Sequence, residues 1–406
     1  MVTERAYWLA WSRIKDVGPV IIKRLWEHFG SLAAAWEAPA SELLLIDGIG
    51  LLTAENVVRS RPKLNPTTLL AQHEEKNLSF WTPADADYPA LLFAINDPPP
   101  VLYYRGRLRL TDPNRLSVGM VGTRRPSSYG KRWTQRISSR LAADGAIVVS
   151  GLAAGIDTDA HTSCLHQNGT TVAVVGTGVD VVYPKQNQRL YEQIVEAGLV
   201  VSEYPDKTGP DKAHFPRRNR IIAGLSRAIL VTEAPARSGA LITARLANDY
   251  CREVYALPCA LDNVQGEGCL NLIAQGAQMI LSDRTLVETL QHLPAVDIPT
   301  DAPNNDSPST SLPTDGSNVV KPLKETGAAG STLPKAESSQ SETGDMPLSL
   351  TPLLTQVLKA VSIEPIVLDG IVQRSQMDTG SVLGALVQLE LSGLVVQLPG
   401  MQYQRA

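Results

Sequence analysis

Short runs of Val, Ile, Leu and Ala recur between residues 117 and 283, each separated from the next by a stretch with helical patterning. They are Ser117–Gly122, Ala146–Ser150, Thr171–Gly176, Leu199–Ser202, Ala228–Thr232, Glu253–Leu257 and Met279–Ser282. Apolar runs without polar alternation belong to strands buried on both faces, and the intervening helices supply the covering layers. The pattern predicts an α/β fold with a doubly wound, mostly parallel, Rossmann-like sheet. In such a sheet ligands sit beyond the carboxyl ends of the strands.

Those ends carry the glycines, hydroxyls and charges. Gly122-Thr-Arg-Arg-Pro-Ser-Ser-Tyr-Gly130 follows the first run, Ser150-Gly-Leu-Ala-Ala-Gly-Ile-Asp157 the second and Gly176-Thr-Gly-Val-Asp180 the third. Ser202-Glu-Tyr-Pro205 and Glu233-Ala-Pro-Ala-Arg-Ser-Gly239 end the fourth and fifth. Glycine turns that feed helix N-termini present free amides to phosphate oxygens, so several on one edge can line a long anionic groove. Between the fourth and fifth runs lies His214-Phe-Pro-Arg-Arg-Asn-Arg-Ile-Ile-Ala-Gly-Leu-Ser226. Clustered guanidiniums beside a ring face suit single-stranded nucleic acid; the competing reading is a solvated basic turn.

Two nucleotide signatures fail. Seven residues separate Gly122 from Gly130-Lys131, and Arg132 stands where a P-loop needs Ser or Thr. The third glycine of a dinucleotide fingerprint would fall at Val181, where a branched side chain blocks close helix-to-strand approach. Asp157 and His161, with Cys164 and His166 nearby, could form an acid–base or metal pair, but a helix-capping Asp and a core or ligand-facing His are the favoured reading. No nucleophile elbow is present. The chain reads as a binder without cofactor or metal, not as an enzyme.

At 406 residues the chain exceeds one domain, and a 43% hydrophobic composition provides a sizeable core. The net charge of −4 confines any polyanion site to a local patch. No run reaches the roughly 18 apolar residues that a membrane span needs. The first residues lack a basic and then apolar leader, and Cys164, Cys251, Cys259 and Cys269 have neither zinc-site nor disulfide spacing, which points to the cytoplasm. Residues 1–70 read as short helices. There Ile46-Asp-Gly-Ile-Gly50 resembles a helix-hairpin-helix turn, with a structural role favoured over DNA contact. Residues 71–293 form the α/β domain, with its core at 117–283. Residues 294–347, rich in Pro, Ser, Thr, Asp and Gly, predict a flexible tether. Residues 348–406 predict three helices and a hairpin. The presumed reader helix Ser381–Leu391 has no Lys or Arg, which favours protein contact or packing over duplex reading.

Taken in order, the blocks Val121–Ser127, Val149–His161, Val174–Pro184, Ser202–Pro205, Phe215–Ser226 and Glu233–Ala244 resemble the DprA/Smf family of bacterial DNA-processing proteins. The resemblance spans the central domain. It implies an extended Rossmann domain that binds single-stranded DNA as a homodimer, protects incoming DNA in natural transformation and competence, displaces single-strand-binding protein and loads RecA for recombination. It also implies a SAM-like or helix-hairpin-helix-like N-terminal domain and a C-terminal winged helix. Carried over by position, the basic pocket comprises Arg124, Lys212, Phe215, Arg217, Arg218 and Arg220. Gly122, Gly151 and Gly155 offer amides, and Thr123, Arg125, Ser150, Asp157, Asn219, Ser238 and Gly239 complete the DNA-binding set. Cys259 replaces the family's Gly, and Asn271 is displaced by one, which bears on the loop between the last strands. The rival reading is a nucleotide-binding sensor or nucleotide-processing enzyme, in which Glu233 with Ser238-Gly239 holds a free nucleotide.

Overall fold

The predicted runs pair in one sheet in the computed structural model, which describes residues 3–76, 79–294, 352–362, 366–377, 379–391, 394–398 and 402–405. Its strands are β1 (Phe80–Trp81), β2 (Leu102–Gly106), β3 (Ser117–Gly122), β4 (Ile147–Ser150), β5 (Thr170–Val174), β6 (Leu199–Ser202), β7 (Ala228–Glu233), β8 (Glu253–Ala256) and β9 (Gln278–Met279). Their spatial order is β1-β2-β6-β5-β4-β3-β7-β8-β9. From β6 to β9 all pairs are parallel, whereas β1 and β2 add an antiparallel edge. Met120, Val148, Val172, Val200 and Leu230 are fully buried, as runs covered on both faces must be.

Ahead of the sheet lie α1 (Glu4–Trp11), α2 (Pro19–Phe29), α3 (Leu32–Glu37), α4 (Ala40–Leu43), α5 (Leu51–Ser60) and α6 (Pro66–Lys76), so the helical run continues six residues past the expected boundary at 70. The expected hairpin turn Ile46–Gly50 joins α4 to α5, and a counterpart, Ile14–Gly18, joins α1 to α2. Gly48 and Asp16 occupy the matching left-handed positions (φ +90° and +65°). These helices share one core with the sheet layer: the Trp8 and Trp26 rings pack edge-on against Phe93, at 6.4 and 5.1 Å between centroids.

After α7 (Ala90–Phe93), the sheet is covered by α8 (Ser128–Ala143), α9 (Ile156–His166), α10 (Gln188–Ala197), α11 (His214–Gly224), α12 (Gly239–Asp249), α13 (Glu267–Ala274) and α14 (Asp283–Gln291). All of this falls in one compact unit, Met1–Ser311; the second unit is Leu312–Ala406. From residue 295 to 347 the expected tether lies outside the described residues. Within the second unit, α15 (Pro352–Ala360), α16 (Leu368–Ser375) and α17 (Thr379–Leu391) accompany a sheet ordered β10-β12-β11, formed by β10 (Ile366–Val367), β11 (Val395–Leu398) and β12 (Gln402–Arg405). Val382, Ala385, Leu386 and Leu389 bury one face of α17 in this unit's own core.

Candidate nucleic-acid interface

The chain builds β3 to β6 outward in one direction, then crosses back to place β7 on the other side of β3. That reversal opens a crevice above β3 and β7, where the flanking loops diverge. A cavity of about 590 Å³ lies there, walled by the loop after β3, the N-terminal part of α11 and the loop leading into α12. Among the predicted residues it brings together Gly122, Thr123, Arg124, Asp157, Lys212, Phe215, Arg218, Asn219, Ser238 and Gly239.

Its rim is cationic. Arg124 and Lys212 are exposed, and so is Arg237, whose place in the site its sequence motif does not reveal. None of the three has a carboxylate partner among the described residues. The Arg124 guanidinium stands 5.6 Å from the Phe215 ring centroid, and the Tyr183 ring lies 5.5 Å beyond. Tyr183 was also missed; its position after a glycine-rich loop carried no charge signal. Opposite, Ser238 caps α12 by accepting from the Ala240 amide at 3.3 Å, and Asn219 Nδ2 donates to Gly239 O at 3.2 Å. This directs a helix N-terminus at the crevice.

Beneath the rim the charged groups bond inward to the backbone. Arg218 is buried and donates through Nη1 to Gly151 O at 2.6 Å and to Val174 O. Burial pushes its guanidinium down to about 10, against the pull of Asp157. Asp157 accepts from the Gly151 and Ala153 amides at 3.1 and 3.3 Å, while burial raises its pKa and Arg218 opposes the rise. Arg218 is thus an internal strut that holds the loop after β4, with little left to give a phosphate. His161, fully buried, packs with its Nδ1 2.7 Å from Thr171 Oγ1. His161 is the core histidine of the favoured reading, but Asp157 does not cap α9, whose N-cap is Gly155; its carboxylate braces the preceding loop instead. No cluster of metal-ligating side chains occurs among the described residues.

Several predicted contacts need correction. The amide of Gly151 is spent on Asp157, and the glycines serve close packing instead. A Cβ at Gly122 would lie 2.5 Å from Ile156 Cγ1, and one at Gly155, where φ is +86°, would lie 2.8 Å from Arg124 Cα. Ser150 is buried and donates to Met120 O at 2.6 Å, tying β4 to β3. Arg125 is exposed beside the cavity without lining it. Arg217 and Arg220 do not join the pocket. The helical 100° step sends them to another face of α11, where buried Arg220 pairs with Glu203 at 2.5 Å and Asp97 at 3.5 Å. Glu233 is buried below the crevice and accepts from the Ser127 amide and hydroxyl, each at 2.6 Å. The nucleotide-enzyme alternative therefore loses its carboxylate.

The family profile of DNA recombination-mediator protein A matches residues 79–291, and the DprA winged helix domain profile matches residues 341–401. The chain belongs to the DNA recombination-mediator protein A family. Among relatives of the family, Protein Smf of Synechocystis sp. is 48% identical over 405 residues, covering 99% of each chain. DNA processing protein DprA of Bacillus subtilis is 34% identical over 275 residues, 68% of this chain and 91% of its own. The X-ray structure of DNA processing protein A from Streptococcus pneumoniae superposes with a TM-score of 0.60 at 33% identity, covering 71% of this chain and 98% of that one. The mostly parallel sheet and the C-terminal winged helix expected from sequence are those of this family.

Proposed function

We propose that this protein binds single-stranded DNA along the crevice above β3 and β7, without catalysing a reaction on it, and hands the strand to a recombinase. The observation that carries this reading is the division of charge: Arg124, Lys212 and Arg237 stand at the rim without carboxylate partners among the described residues, with the Phe215 and Tyr183 rings beside Arg124, while buried Arg218 below is turned inward onto backbone carbonyls. Unpaired guanidiniums beside aromatic faces take phosphate and base together, a pairing suited to unstacked strands. Family membership supports the wider role: DNA processing in natural transformation, displacement of single-strand-binding protein, loading of RecA, and action as a homodimer through the Rossmann-like domain in the cytoplasm. Among the described residues no helix is long and apolar enough to cross a membrane.

Fluorescence anisotropy with labelled single- and double-stranded oligonucleotides across a salt series tests the reading. Single strands are expected to bind more tightly. Arg124→Ala and Arg237→Ala each lower the slope of log K against log salt by about one. If the wild-type protein ignores oligonucleotides at low salt, the reading is wrong, and free nucleotides become the ligand to test.

A further inference from the structure

Arg124 lines the crevice, and its neighbour Arg125 is exposed on the short link into α8. That helix turns Thr134, Ile137, Ser138 and Leu141 inward, all fully buried. The helical 100° step gathers Tyr129, Arg132, Trp133 and Arg136 on a different face, where both arginines are exposed and both rings are half-buried. The guanidiniums of Arg132 and Arg136 lie over the Tyr129 and Trp133 rings, 5.9 and 5.3 Å from their centroids, and the two rings meet edge-on at 6.4 Å. The Tyr129 hydroxyl donates to Pro258 O at 2.9 Å, which fixes that ring. Other cations of α8 have carboxylate partners: Lys131 meets Asp159 at 3.8 Å, Arg136 meets Asp283 at 2.9 Å and Arg140 meets Asp144 at 2.8 Å. Arg125 and Arg132 have none among the described residues.

We propose that a strand longer than the crevice continues over Arg125 and along this face of α8, where Arg132 takes one of its phosphates. A guanidinium laid on a ring is already oriented, and its N–H edge stays free to fork a phosphate. The occupant follows from continuity: Arg124 in the crevice and Arg125 outside it are consecutive residues, so one backbone can pass from one to the other. From Ser128 to Arg136 the helix lengthens the path by about 12 Å. Arg136, neutralised by Asp283, marks where the free charge ends. This inference rests on strand binding in the crevice, and the test separates the two.

Binding of thymidine oligonucleotides of about 4 to 16 nucleotides is measured across a salt series for the wild type, Arg124→Ala, Arg132→Ala and Arg132→Lys. Arg124→Ala is expected to weaken every length. Arg132→Ala leaves the shortest strands unaffected and, for the longest, lowers the slope of log K against log salt by about 0.7, the share of one phosphate on a single strand. Adding Arg125→Ala to Arg132→Ala doubles that loss. Arg132→Lys keeps the charge and restores the slope; a loss that it does not restore belongs to packing on Tyr129 and counts against the proposal. If Arg132→Ala weakens all lengths equally or none, or weakens duplex binding alone, the track along α8 is refuted and the crevice reading stands. If no oligonucleotide binds at all, both fall.

Discussion

Arg217 and Arg218 are adjacent in the chain and opposite in role, one exposed and the other locked beneath the crevice. Composition marks both as cations, and only their position on α11 tells them apart. Replacing Arg218 with Met leaves the Gly151 and Val174 carbonyls without their buried donor, and stability is expected to fall by about 1–3 kcal/mol in urea titration. Close to Arg218 lies a pH-sensitive residue, His161. Thr171 spends its hydroxyl proton on Val148 O at 2.7 Å, so His161 Nδ1 is the donor in its contact with Thr171. Burial, with Arg218 adding to it, pushes His161 from 6.5 to about 3. The unfolded chain then takes up a proton that the folded chain refuses, so stability is unaffected above pH 6.5 and is lost as pH falls from there toward 3. At pH 5 the loss is about 2 kcal/mol. His161→Asn keeps a donor to Thr171 and is expected to flatten the fall in chemical-denaturation midpoint below pH 6.5.

At the scale of elements, the strands were legible because burial on both faces leaves a simple signature: β3 and β6 occupy their predicted ranges, and the others differ by a few residues at their ends. The edge strands β1 and β2 were not, since runs of two and five residues are too short to carry a periodic signal before β2 pairs with β6 and β1 with β2. Glycine-rich turns were found in the right places for a different reason than the one inferred. At Gly155 the positive φ and the nearby Arg124 backbone leave no room for a side chain, so Gly155→Ala is expected to cost at least about 1–3 kcal/mol in a denaturation assay and to loosen the Arg124 loop. The N-terminus of α8 depends on Glu233 in a similar way. Its two charge-assisted bonds to Ser127 lose strength in Glu233→Gln, which is expected to lower the denaturation free energy by about 1.5–3 kcal/mol.

Across the whole molecule, the N-terminal helices belong energetically to the sheet. Lys23 Nζ donates to Ile95 O at 2.8 Å, and Trp8 and Trp26 close over Phe93. Deleting residues 1–76 strips that cover from a contiguous apolar surface, and the truncated chain is expected to aggregate, as read by size-exclusion chromatography. A chain ending at Ser311 retains the complete first core and is expected to keep its cooperative unfolding transition. Sequence alone determined the α/β class, the crevice edge, and the helical and winged-helix flanks, because apolar periodicity and turn chemistry are local properties that each segment carries with it. The tertiary structure decided which arginines are free, which glycines only pack, that Arg237 and Tyr183 join the rim, and that the first helices share the sheet's core. Those outcomes depend on which face of an element meets which neighbour, and a guanidinium becomes a strut or a ligand site only once the carboxylates and carbonyls around it are in place.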